Sequence, residues 1–77
     1  MATTFDKELD TSGLTCPMHI IKTKKAVDEM ESGQVLKMIS TDPGSVPDMN
    51  AWTSKTGHTL LEHEEVGGKY IFFVKKS

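Results

Sequence analysis

One residue in this chain has the side chain for nucleophilic chemistry at neutral pH: Cys16, in the stretch Gly13-Leu14-Thr15-Cys16-Pro17-Met18-His19. Proline is favoured at the first helical position because its missing N–H costs nothing there and its fixed φ suits the helix. A helix opening at Pro17 makes Cys16 its N-cap, with Thr15 as the alternative cap. Either assignment sets the thiol beside the positive end of a helix dipole and its unpaired N–H groups, which favours the thiolate. Lys22, about two turns into the same helix, and His19 are expected to add positive potential there and to support the thiolate or attract an acidic partner. Met18 follows the proline with no partner in the apolar stripe and is expected at the surface as an adaptable contact for another protein.

Other chemistries fit these residues less well. Cys16 and His19 form a C-x-x-H pair that His58 or His63 would have to complete as a zinc site, but there is one thiol and no second closely spaced ligand pair. Both of those histidines read as surface residues. Hydrolysis by a Cys–His pair needs an orienting third group and an oxyanion site. Thiol–disulfide exchange needs a resolving cysteine, which a partner would have to supply. The plain alternative for a lone cysteine is an inert, small buried side chain, and the Cys-Pro helix start argues against it.

The elements that must position these residues follow from periodicity and turn chemistry. Residues Thr4 to Asp10 alternate weakly, with Phe5 and Leu9 on one face, as a short first strand. From Pro17 to Glu31 the residues Ile20, Thr23, Val27 and Met30 recur at helical spacing, and Gly33 is expected to close that helix as its C′ residue. Gln34 to Thr41 reads as a central strand, too apolar for an edge exposed on both faces. Asp42-Pro43-Gly44 breaks it. Ser45 as N-cap, with Asp48 in the first turn, opens a second helix to about Thr56, with Met49 and Trp52 on its buried side. His58 to Val66 and Lys69 to Lys75, joined by Gly67-Gly68, form a hairpin. The order βαβαββ predicts an α+β fold, a two-layer α/β sandwich with two helices on one face of a four-stranded mixed sheet. Asp42-Pro43-Gly44-Ser45 reads first as turn plus cap, and second as a loop brought beside the thiol.

At 77 residues the chain is expected to be one domain over 1–77, too small to enclose a large ligand. A net charge of −2 opposes binding to nucleic acid, although Lys22, Lys24 and Lys25 form a local basic patch. No apolar run approaches the ~20 residues of a membrane span. The single cysteine, with no leader-like start, points to the reducing cytoplasm. No bound organic cofactor is expected.

Leu9-Asp10, Gly13-Leu14, Cys16-Pro17, Lys24-Lys25, Thr41-Asp42-Pro43-Gly44-Ser45, Asp48, Trp52, Gly57-His58 and the closing glycine-turn hairpin occur in the order found in TusA/SirA-like proteins, which the chain resembles over nearly its whole length. The resemblance implies a sulfurtransferase that works as a carrier, in which Cys16 receives sulfane sulfur as a transient persulfide and passes it on. Implied partners are a donor, such as a cysteine desulfurase or a rhodanese-like protein, and an acceptor sulfur-relay protein. Implied pathways are tRNA thiolation, molybdenum cofactor assembly or sulfur oxidation. That family typically shows Cys-Pro-x-Pro, whereas Cys16-Pro17-Met18-His19 has a histidine in the last place. The alternative reading is a non-catalytic interaction or regulatory module. RNA binding, suggested by strand order alone, is opposed by the acidic balance.

Overall fold

The computed structural model describes residues 4–15 and 18–77. Cys16 and Pro17 lie outside them, and with them the expected helix cap. The elements are β1 (Lys7–Asp10), α1 (Met18–Asp28), β2 (Val35–Ser40), α2 (Ser45–Thr56), β3 (Thr59–Val66) and β4 (Lys69–Lys75). This is the expected βαβαββ order.

The sheet runs β1-β2-β4-β3. β1 pairs with β2 in parallel, and β2–β4 and β3–β4 are antiparallel. The hairpin therefore folds its second strand inward against β2 and leaves β3 at the edge. Gly67 and Gly68 make the turn at φ 56 and 82. Two successive positive φ values are what a primed two-residue hairpin turn requires, and glycine adopts them without a Cβ clash.

Alternation along the two central strands sorts side chains between the faces. Leu36 and Met38 of β2 and Phe72 and Val74 of β4 are fully buried, in one cluster with Ala26, Val27 and Met30 from α1 and its exit and with Met49 of α2. Residues from both helices in the same cluster place both on one face, giving the two-layer α+β sandwich. The other face is covered locally. Phe5 lies over Phe73 with ring centroids 6.3 Å apart, and the Lys37 ammonium sits 5.2 Å from the Phe5 ring centre.

Several boundaries differ from expectation, those of β2 and the start of β3 by a single residue. The helix expected to run to Glu31 ends at Asp28, where Glu29 and Met30 donate to carbonyls three residues back and tighten the last turn. Gly33, at φ 88, is the positive-φ corner of a turn from Glu31 to Gln34 that aims the chain into β2, and is not the helix C′ residue. Ser45 is the first residue of α2 rather than its cap. Gly44 takes the cap position without a side-chain bond, while the Asp42 carboxylate accepts the Gly44 N–H at 3.0 Å. The first strand is also shorter than read. Phe5 precedes it and covers Phe73, while Leu9 packs against the helix-side core.

Candidate functional site

The segment that leads into Cys16 is tied down residue by residue. Asp10 Oδ1 accepts the Ser12 N–H at 2.9 Å, and the bonds from Ser12 hold the Asp10 carboxyl below its ordinary range. Thr11, almost fully buried, donates both its N–H and its hydroxyl to the Ile39 carbonyl. Gly13 donates its N–H to Thr41 Oγ1 at 2.8 Å, and Leu14 closes a turn onto the Thr11 carbonyl. The β1–α1 loop thus lies along the end of β2. Parallel pairing of β1 with β2 causes this, since both strands end at the same sheet edge.

That edge is also where both helices begin. α1 opens at Met18, whose N–H donates to the Thr15 carbonyl at 2.7 Å, and α2 opens after the Asp42-Pro43-Gly44 turn. Asp42 is therefore brought beside the start of α1, while the thiol that the second reading set beside it lies outside the described residues. Ser40 Oγ accepts the Asp42 N–H at 3.1 Å and fixes the base of the turn.

Met18 is exposed at 43%, as its lack of an apolar partner predicts, and Lys22 is exposed one turn on. Ile21, at 52%, joins them and was not singled out by sequence. Met18, Ile21, Lys22 and Lys25 are spaced i, i+3, i+4 and i+7, so they form one outward stripe of α1, apolar at its start and basic along its length. Lys24 is engaged by Asp28 at 3.0 Å, whereas Lys22 and Lys25 make no ion pair among the described residues.

His19 lies elsewhere. Its ring is fully buried, so it does not stand on the outward stripe. Its Nε2 lies 3.4 Å from Asp48 Oδ2 and 3.6 Å from Asp42 Oδ2. Asp48, expected only as a first-turn carboxylate, thereby joins the site. Position carried a signal for His19, because His19, Thr23, Ala26 and Met30 follow helical spacing along the buried face.

No group of three or more metal-ligating side chains suited to an ion occurs among the described residues. His58 packs on Trp52, ring centroids 5.3 Å apart, and His63 stacks on Phe72 at the hairpin, both on other elements than His19. No described helix is long and apolar enough to cross a membrane.

Comparison with known proteins decides the family. The family model described as sulfurtransferase TusA matches residues 7–76. The chain belongs to the TusA family. Within it, the sulfur carrier protein TusA of Allochromatium vinosum is 55% identical over 73 residues, covering 95% of this chain and 96% of its own. A putative sulfur carrier protein of Bacillus subtilis is 48% identical, covering 92% and 95%. A crystal structure of a SirA-like protein from Desulfitobacterium hafniense has the same fold, with a TM-score of 0.80 at 24% identity over 91% of this chain and 96% of that one. The TusA family match spans both helix starts and the loops between them, the edge at which the β1–α1 loop, Met18, Asp42 and His19 converge.

Proposed function

We propose that this chain is a sulfur carrier in which Cys16 is the acceptor and donor of sulfane sulfur. The observation that carries the reading is the family match over residues 7–76, which takes in the chain's only cysteine. The Cys16 thiolate attacks the terminal sulfur of a donor persulfide. A new S–S bond forms on Cys16, the donor's S–S bond breaks, and its electron pair leaves with the donor thiolate. An acceptor thiolate then repeats the step on the Cys16 persulfide. Each transfer exchanges one S–S bond for another and needs no external oxidant or reductant.

A domain of this size has little room to enclose a substrate, so donor and acceptor proteins complete each reaction site. The positive end of the α1 dipole favours an anion near the start of that helix. The stripe of Met18, Ile21, Lys22 and Lys25 suits a partner with an apolar spot rimmed by carboxylates. Donors of the cysteine desulfurase or rhodanese type, and acceptors in tRNA thiolation, molybdenum cofactor assembly or sulfur oxidation, fit this two-partner chemistry. A compartment with reduced thiols, such as the cytoplasm, keeps the lone cysteine free for it.

Intact mass spectrometry after incubation with a polysulfide tests the reading. A gain of about 32 Da, one sulfur, that dithiothreitol reverses and prior alkylation of Cys16 prevents is the expected result. A thiol that alkylates readily yet gains no sulfur would transfer the assignment to an interaction module. The outward stripe has its own test. Met18→Glu should leave the melting temperature unchanged and slow transfer from a charged donor about tenfold, the loss of one contact worth more than 1 kcal/mol. Unaltered transfer rates would remove Met18 from the docking surface.

A further inference from the structure

His19 is a fully buried polar side chain, and its two ring nitrogens are engaged differently. Nδ1 accepts the Ile20 backbone N–H at 2.9 Å. An accepting nitrogen carries no hydrogen, so the ring's proton is on Nε2. Nε2 is buried and completes no well-formed hydrogen bond within the described residues. It faces Asp48 Oδ2 at 3.4 Å and Asp42 Oδ2 at 3.6 Å, the acidic side chains within 4 Å of it among the described residues. One N–H thus points between two carboxylates, one from the first turn of α2 and one from the turn that precedes it. The donor belongs to the second residue of α1, three positions after Cys16.

We propose that His19 is a positioning residue for the thiolate: its Nε2 edge, 3.4 and 3.6 Å from the carboxylates of Asp48 and Asp42, offsets their negative charge at the first turn of α1, so that it does not oppose a thiolate at Cys16, three positions earlier in the chain. The inference rests on the carrier reading of Cys16. Negative charge at a helix start opposes the anion that the helix dipole favours, and the ring N–H offsets part of that charge. The buried ring is further anchored through its own backbone, since the His19 carbonyl accepts the Thr23 hydroxyl at 2.7 Å. The imidazole is therefore held at a fixed depth between the two helices.

The test reads the thiol directly. The rate of Cys16 alkylation by iodoacetamide is followed against pH in the full chain and in His19→Leu, His19→Gln and the double variant His19→Leu/Asp48→Asn, with melting curves beside them. In His19→Leu the alkylation midpoint should move to higher pH and the rate at neutral pH should fall about three- to tenfold. Glutamine, whose amide N–H reaches roughly where Nε2–H does, should restore the rate to within about twofold of the parent. The double variant should recover part of the loss, because it removes the negative charge of Asp48, the nearer of the two carboxylates that face the ring. A purely structural role would lower melting temperatures and leave the midpoint in place. A His19→Leu profile superimposed on the parent, a glutamine variant as displaced as leucine, or no recovery in the double variant would each overturn the proposal. Long-range ¹H–¹⁵N NMR of the unsubstituted protein decides it even if His19→Leu does not fold, since a proton on Nδ1 rather than Nε2 rules it out. Alkylation needs no sulfur donor, so a chain that accepts no sulfur but shows the shifted midpoint would end the carrier reading alone.

Discussion

A chain carrying Cys16→Ser should melt as the parent does and deliver no sulfur at all. The substitution removes one polarisable atom and replaces it with a hydroxyl, which at neutral pH is neither ionised nor able to hold a terminal sulfur as a persulfide. The loss is total because the chain has no second thiol to substitute. The described scaffold depends on other groups: Thr11 bonded to Ile39, Gly13 to Thr41, and Asp42 to Gly44. Those contacts persist with serine at position 16. The measurement pairs a thermal melt with transfer of labelled sulfur from a charged donor to an acceptor thiol. Residual transfer above the donor–acceptor background would show that sulfur passes by another route, and a lowered melting temperature would give Cys16 a part in the fold.

The division between chemistry and scaffold also explains what could be read from the chain alone. Gly67-Gly68 between two segments of strand length specified the hairpin, because few other turns fit two successive positive φ values. The apolar run at Val35, Leu36, Met38 and Ile39 specified a strand with neighbours on both sides, and β2 has β1 and β4 there. Asp42 meets the start of α1 across the sheet edge, whereas the thiol beside which the second reading set it lies outside the described residues. The meeting itself depends on β1 and β2 being parallel, which local patterning does not encode. His19 was harder to place because hydropathy counts it as polar, while its helical position alone puts it in line with Thr23 and Ala26. The partners that make such burial tolerable, Asp42 and Asp48, come from another part of the chain. The early end of α1 was hidden for a different reason. Gly33 has the positive φ of a helix-ending residue, but it serves a separate turn five residues beyond Asp28.

Phe72→Ala is the substitution expected to cost the scaffold most. Its side chain is the largest of those fully buried, on a strand paired with β2 on one side and β3 on the other, where it stands opposite Met38 and stacks with His63. Truncating a buried phenylalanine costs about 3–5 kcal/mol, part lost transfer energy and part cavity. A domain of this size has only about 3–5 kcal/mol of net stability from its core, so the variant should sit near its unfolding midpoint without denaturant. Phe73, the next residue, faces the other side of the sheet, where Phe5 covers it and the Lys37 ammonium sits over the Phe5 ring. Phe73→Ala should be milder because Phe5 precedes the strand and is free to settle into the vacated space. Urea unfolding of the two variants measures the difference. Equal losses would mean that the face without helices contributes as much as the helix-covered core. The functional consequence follows from the same geometry. Both helix starts are held to the sheet edge through the cluster that Phe72 fills, so in Phe72→Ala the Cys16 thiol should alkylate with the pH profile of an unfolded cysteine, losing whatever advantage the helix start confers.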